Sequence, residues 1–291
     1  MLDGFARRRI ETAAVTIEVA HGGEGPPVLL LHGYPQTHVM WHLVAPVLAE
    51  RYTVVATDLR GYGDSDKPSG DSEHRRYAKR TMANDQVEVM ATLGFDRFAV
   101  VGHDRGGRVG HRMALDHPDR VTCLAVLDIV PTRHVFATVD QFMATTYYHW
   151  FFLAQPFDLP ERLIGADPLH YLHRKIGGWG TGLDVFAPEA LAEYERCFDA
   201  ATIHASCEDY RAAATIDLEH DAADRDRSLE MPVLALWGER GAVHQAYDVL
   251  DVWRGYTRDV RGGPVAAGHY LAEERPTETA SALSAFLRDQ G

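Results

Sequence analysis

One stretch limits the folds open to this chain more than any other. Phe98-Ala99-Val100-Val101 is an apolar run that breaks into Gly102-His103-Asp104-Arg105-Gly106 and then enters the helix-like pattern that begins at Gly107-Arg108. An apolar run, a G-x-D-x-G turn and a helix make a strand–turn–helix unit, with an acidic side chain raised at its apex. This is the layout of a nucleophile elbow, with a carboxylate where esterases and lipases place serine. The exchange changes the chemistry. A serine elbow acylates itself on a carbonyl, whereas a carboxylate suits displacement at a saturated carbon, leaving an alkyl ester that water must hydrolyse.

The rest of the chain repeats the same building plan. Val15, Ile17 and Val19 alternate with polar residues as in a half-exposed strand, and Val28-Leu29-Leu30-Leu31 is a continuous run suited to a strand buried on both faces. Comparable runs end at Val55, Val101, Leu127 and Leu236. Helical patterns lie between several of them. One carries Val87, Met90 and Leu93 and closes at Gly94, and the last holds Ala280, Leu283, Phe286 and Leu287 behind Pro276. Strands alternating with helices predict an α/β chain with a doubly wound, mostly parallel sheet and ligands at the carboxyl ends of its strands. The alternation stops between about Pro131 and Ala222, where the chain is aromatic and helical. We read residues 132–222 as a helical cap inserted into a core domain of residues 1–131 and 223–291.

Composition narrows the partners. With 46% hydrophobic and 24% charged residues over 291 positions, the chain is of an ordinary globular kind, long enough for one large core with an insertion. A formal charge of −13 argues against nucleic acid and anionic membranes as partners. Cys123, Cys197 and Cys207 are scattered and in neither metal nor redox spacing, and the start of the chain has no apolar signal region. The expectation is a cytoplasmic protein without a metal or other cofactor.

Polar clusters end several of the buried runs: His32-Gly33-Tyr34-Pro35, Gly102-His103-Asp104 and Asp128, with Gly268-His269 before the final helix. The chain order nucleophile, acid, histidine is that of α/β-hydrolases. Asp104 would attack carbon, and His269 would activate water for hydrolysis of the Asp104 ester. Asp128 would hold the imidazole, and the backbone N–H groups of Tyr34 and Arg105 would form the oxyanion hole. Glu239, after Leu236-Trp237-Gly238, is a rival for the acid's place. Arg105 and Arg108 lie one and four residues beyond the aspartate, and two guanidinium forks there would hold an anionic substrate by its carboxylate. His103 reads as support for the elbow. His170 and His173 have helical spacing, but no further ligands cluster with them.

Four segments resemble the fluoroacetate dehalogenases, α/β-hydrolases that hydrolyse haloacetates. They are DLRGYGDSD (58–66), VVGHDRGGRVGHRMALDHPDRV (100–121), Tyr147-Tyr148-His149-Trp150-Phe151-Phe152-Leu153-Ala154-Gln155-Pro156 and ALWGERG (235–241). DLRGYGDSD is shared with epoxide hydrolases and haloalkane dehalogenases; HDRGGR and HWFFLAQP are more specific. The resemblance implies Asp104, Asp128 and His269 as the catalytic set and Arg105 and Arg108 on the carboxylate. It also implies His149, Trp150 and Tyr210 on the halide, Trp179 facing the same pocket, a small anionic haloacid as substrate and a homodimer. Tyr34 departs from the HGFP expected of the family. Fluoride is small and strongly hydrated, so its departure calls for several donors aimed at one point, which an imidazole, an indole and a phenol supply.

Two other readings compete. An epoxide hydrolase uses the same aspartate and needs two cap tyrosines, for which Tyr147, Tyr148, Tyr171, Tyr194 and Tyr210 are candidates. A ligand receptor on a hydrolase scaffold needs no catalysis, and a lost triad member would mark it.

Overall fold

The continuous apolar runs become neighbouring parallel strands. They are β3 (Pro27–Leu31), β4 (Thr53–Thr57), β5 (Phe98–His103), β6 (Val121–Leu127) and β7 (Val233–Gly238). The computed structural model describes residues 1–179 and 182–289. Among these residues one sheet of eight strands runs in the order β1-β2-β4-β3-β5-β6-β7-β8. From β4 to β8 all pairs are parallel, so β5, with the elbow at its end, lies in the middle of the sheet. Helices cover both faces of such a sheet, which is why these runs are apolar throughout instead of alternating. Core side chains such as Leu30 and Val100 are fully buried. Truncating a buried leucine of this kind to alanine typically costs about 2–5 kcal/mol.

The edges are less apolar. β2 (Thr16–Gly22) is antiparallel to β4, and β1 (Ala6–Glu11) is antiparallel to β2. No apolar pattern marks β1: only Ile10 is buried, and Arg7 and Arg9 reach Glu18 and Asp66 at 2.8 and 2.9 Å. β8 (Val260–Val265) also carries no strand signal, because it holds Gly262, Gly263 and Pro264. Proline is confined to sheet edges, and Gly262 lies so close to β7 that a Cβ there would stand 1.8 Å from the Ala235 carbonyl oxygen.

The helix Lys79–Thr92 ends before Gly94, which has the expected left-handed φ of 89°. The final helix is Pro276–Arg288. Between β6 and β7 the described residues form eight helices and no strand, from Thr132–Ala137 to Ile216–Ala223. Among the described residues no helix is long and apolar enough to cross a membrane.

Candidate active site

Asp104 stands between β5 and the helix Arg105–Asp116 with φ 44° and ψ −114°, a backbone conformation that side chains rarely adopt. Such strain costs about 1–3 kcal/mol and persists only where the surroundings enforce it. Here the chain itself enforces it. A Cβ on Gly102 would lie 2.5 Å from the Gly106 carbonyl oxygen, and one on Gly106 would lie 2.5 Å from that of His32. Only glycines allow the helix to turn back so tightly on the sheet. The Tyr34 N–H donates to Asp104 Oδ2 at 3.1 Å. Arg105 opens the helix, where the first N–H groups have no acceptor within the helix itself. Burial pushes the Asp104 carboxyl up, but His269, Arg108, His103 and Arg105 outweigh it and hold the group below its ordinary value, ionised at neutral pH.

His269 lies in the turn after β8, and its Nδ1 meets Asp128 Oδ2 at 2.6 Å. Asp128 ends β6 with φ 53° and accepts the Gly238 N–H on Oδ1 at 3.0 Å. Glu239 is exposed, its N–H bonded to the Val265 carbonyl, so the contact with His269 is made by Asp128 and not by Glu239. His103 is neutral: burial, then the charge of His269, pushes it down to about 3. It must therefore donate from Nε2 to the His269 carbonyl oxygen, 2.9 Å away, and so ties the elbow to the loop that carries the base.

The two arginines turn out unlike each other, and the expectation of two free forks needs correction. Arg105 Nε and Nη2 donate to the Asp209 carboxylate at 2.9 and 2.6 Å, and Nη2 also donates to the Asp209 carbonyl at 2.9 Å. Its fork is therefore occupied, and only Nη1 is buried without a partner. Arg108 donates from Nη1 to the Val130 carbonyl and to Thr132 Oγ1 at 2.9 and 3.2 Å, and its Nε has no partner. Among the described residues Arg108 makes no ion pair. It is a buried cation whose pKa burial pushes down, partly offset by Asp104.

The helical segment brings its aromatic residues to the same place. Tyr210 lies 5.5 Å from His149 and 6.0 Å from Trp150 between ring centroids. The Arg105 guanidinium carbon is 4.2 Å from the Tyr210 ring, and that of Arg108 is 4.4 Å from the Trp150 ring. Trp179 lies 5.1 Å from the His269 ring and 5.5 Å from His149. His149 Nδ1 and the hydroxyl of Tyr210 are buried without partners, while the Tyr34 hydroxyl meets that of Tyr171. Burial holds His149 neutral and both phenols protonated, so each is a hydrogen-bond donor. Tyr34 stacks on His149 at 6.4 Å and meets Tyr210 edge-on at 5.4 Å. His170 and His173 remain outside, with His173 bonded to Glu195 at 2.6 Å.

Several contributors carry no signal readable in sequence. Lys175 Nζ sits 4.0 Å above the Trp179 ring, while Thr132 and the Val130 carbonyl fix Arg108. Asp209 is adjacent to a predicted site residue, yet only the folded contact with Arg105 reveals it. Asp58, Arg60 and Tyr62 of DLRGYGDSD prove to be scaffold: Arg60 forks onto Asp85 at 2.6 Å, and the Tyr62 hydroxyl donates to Asp209 at 2.8 Å.

Comparison with known proteins places this geometry among relatives. The sequence profile described as the alpha/beta hydrolase fold matches residues 26–276. A fluoroacetate dehalogenase from Burkholderia sp is 50% identical over 99% of this chain and 96% of its own length. A soluble epoxide hydrolase from Corynebacterium sp. (strain C12) is 37% identical over 87% of both chains. A crystal structure from Nostoc sp PCC 7120, provisionally described as an alpha/beta hydrolase, superposes with a TM-score of 0.98 at 56% identity, covering 99% of both chains.

Proposed function

The chain belongs to the alpha/beta hydrolase fold family and, within it, to the fluoroacetate dehalogenases, and from that premise we infer that it hydrolyses haloacetates, turning fluoroacetate and water into glycolate and fluoride. The observation that carries the residue assignment is a carboxylate at the elbow near Arg108, a buried cation that feels Asp104 but makes no direct ion pair among the described residues. A substrate carboxylate would supply that pair, and Arg105 Nη1 would add one further donor.

Asp104 Oδ2 is held by the Tyr34 N–H, so Oδ1 is the attacking oxygen. It displaces halide from the α-carbon, and the halide leaves toward His149, Trp150 and Tyr210. Their donors act chiefly where charge develops on the halogen, which is the condition for lowering a barrier and not merely binding substrate. The ester then loses its product to water. His269 takes one proton, hydroxide attacks the Asp104 carboxyl carbon, and the Tyr34 and Arg105 N–H groups receive the oxyanion. Asp128 holds His269 in its tautomer and stabilises the imidazolium. The imidazolium returns its proton to the departing alkoxide oxygen, glycolate leaves, the proton left on the Asp104 carboxyl passes to solvent, and one oxygen of the carboxylate now comes from water.

In this reading residues 132–222 act as the cap over the core of residues 1–131 and 223–291. A cytoplasmic setting and a homodimer belong to the same proposal. Three free cysteines support the first, since reduced thiols fit that compartment. An epoxide hydrolase remains the competing reading, because the Tyr210 hydroxyl lacks a partner and the Tyr34 ring meets it edge-on. A buried arginine without a direct ion pair beside a neutral epoxide argues against it. A receptor without catalysis has no support from a chain that keeps Asp104, Asp128 and His269, with Asp128 bonded to His269.

The deciding assay is free halide from fluoroacetate, chloroacetate and a neutral chloroalkane, with styrene oxide as control. Single turnover in H₂¹⁸O should place label in Asp104. Label in glycolate alone would mean direct attack of water on the substrate.

A further inference from the structure

The contacts of Asp209 go beyond a salt bridge. Its carboxylate and carbonyl take the whole Nε/Nη2 edge of Arg105, and both side chains are fully buried. Oδ2 also accepts the Tyr62 hydroxyl at 2.8 Å, and Oδ1 accepts the ammonium of Lys79. Asp209 thus joins the first residue of the elbow helix, the start of the helix Lys79–Thr92 and the loop after β4 to the helix Ala200–Ala214. Tyr210, the next residue in that helix, has its ring 4.2 Å from the guanidinium carbon that Asp209 clamps.

Two consequences follow from elementary electrostatics. The charge of Arg105 is already compensated, so it adds little net attraction for an anion, whereas Arg108 has no ion-pair partner among the described residues. The clamp also fixes direction: with three of its donor bonds committed to one residue, Arg105 can turn only Nη1 toward a ligand. Building on the haloacetate reading above, we propose that Asp209 is a positioning residue, which spends the charge of Arg105 to fix Nη1 and the Tyr210 hydroxyl in register, leaving attraction of the substrate carboxylate to Arg108.

This division of labour predicts a split that general damage would not produce. Asp209→Asn keeps size and shape but removes the compensating charge and one strong acceptor. Arg105 then becomes a net cation that is free to rotate. Acetate, an unreactive anion, should bind at least about threefold more tightly, read as Ki or by calorimetry, while kcat for fluoroacetate falls about tenfold or more. Chloroacetate should lose less, because its larger leaving group depends less on the Tyr210 donor. In an Arg105→Gln background, adding Asp209→Asn should cost little further kcat, since coupled residues are not additive.

Weaker acetate binding together with lower kcat would reduce Asp209 to a structural ion pair. Tighter acetate binding with unchanged kcat would leave it a charge regulator without a positioning role; either result overturns the proposal. Should Asp209→Asn not yield folded protein, Tyr62→Phe removes a single bond to Oδ2. It should lower the fluoroacetate-to-chloroacetate kcat ratio, and an unchanged ratio would count against the proposal. Acetate affinity is read without turnover, so failure of the unmodified enzyme to release fluoride would overturn the haloacetate reading, and a wrong sign in acetate binding would overturn this one.

Discussion

The rim of the sheet and the helical segment that faces it are built on opposite plans. On the rim, Asp104, Asp128 and His269 are each tied down. Asp104 is bonded to the Tyr34 N–H, Asp128 to His269 and Gly238, and the His269 carbonyl to His103. Two of these residues, Asp104 and Asp128, stand at strained positive φ. On the helical side, His149 Nδ1 and the Tyr210 hydroxyl are buried with nothing to bond. They are held by ring contacts and, at Asp209, by one ion cluster. The comparison teaches where each requirement lies. Covalent chemistry needs fixed distances, which parallel strand ends supply. A subsite for a departing ion needs donors kept without partners, and each such buried donor costs about 1–3 kcal/mol, which the ring packing around it must offset.

The sharpest way to break this contrast is to remove a rim group. His269→Asn should lower steady-state turnover by about 10⁴-fold or more, as loss of a triad member does elsewhere. It should still release one equivalent of halide and leave a carboxymethyl ester on Asp104, visible by intact-protein mass. Continued full turnover would mean that the base lies elsewhere.

The helical wall should matter next, and selectively. Trp150→Phe keeps the ring and deletes the N–H, and loss of one preorganised donor typically costs about 10²–10³ in rate. Fluoroacetate should bear that loss, while chloroacetate keeps a larger share of its rate. Equal losses would show that the wall only shapes the pocket. His149→Ala should act in the same direction.

Arg108 tests the boundary between the two regions. Arg108→Ala should lower kcat/KM for haloacetates by about 30-fold or more, following the roughly 2–5 kcal/mol lost when a buried charge loses its partner. Chloroacetamide should be a far poorer substrate than chloroacetate for the unmodified enzyme. Comparable turnover of the two would remove Arg108 from substrate recognition.

The smallest effect concerns the seam itself. Glu273 accepts from the Tyr194 hydroxyl at 2.6 Å and from the Gln36 amide at 2.9 Å, joining the helical segment to the core. Burial pushes its carboxyl up to about 8 from an ordinary 4.5. The folded state therefore holds this proton while the unfolded chain releases it. Its contribution to stability is fully present below about pH 4.5 and is lost as pH rises through about 8. Glu273→Gln should flatten that decline, gaining stability at pH 7.5 and nothing near pH 4.5, read from urea unfolding at several pH values. A gain independent of pH would place the cause in packing and not in ionisation.

Legibility in the sequence follows the same divide. Strands buried on both faces must be continuously apolar, so β3 to β7 could be read directly, and with them the sites at their ends. The elbow was equally plain, because a turn this tight admits only glycine at 102 and 106. β1 and β8 were not legible: an edge strand needs no apolar face, and charge or glycine serves it as well. The expectation of two equivalent arginines failed for a related reason. Sequence spacing puts both side chains by the nucleophile, but a guanidinium has more than one edge, and which edge is free depends on contacts made far along the chain.

The sequence by itself determined the doubly wound sheet, the aspartate at the elbow and the placing of Asp128 and Gly268-His269 after it in the chain, because local sterics and burial leave few alternatives at those positions. Only the tertiary structure decided that Asp128 and not Glu239 meets His269, since both follow strands and only one side chain turns inward. It also decided that Arg108 makes no ion pair among the described residues while Arg105 is bound to Asp209. These are matters of pairing between residues many tens of positions apart, and pairing is set by how the helical segment docks on the sheet, which no local pattern encodes.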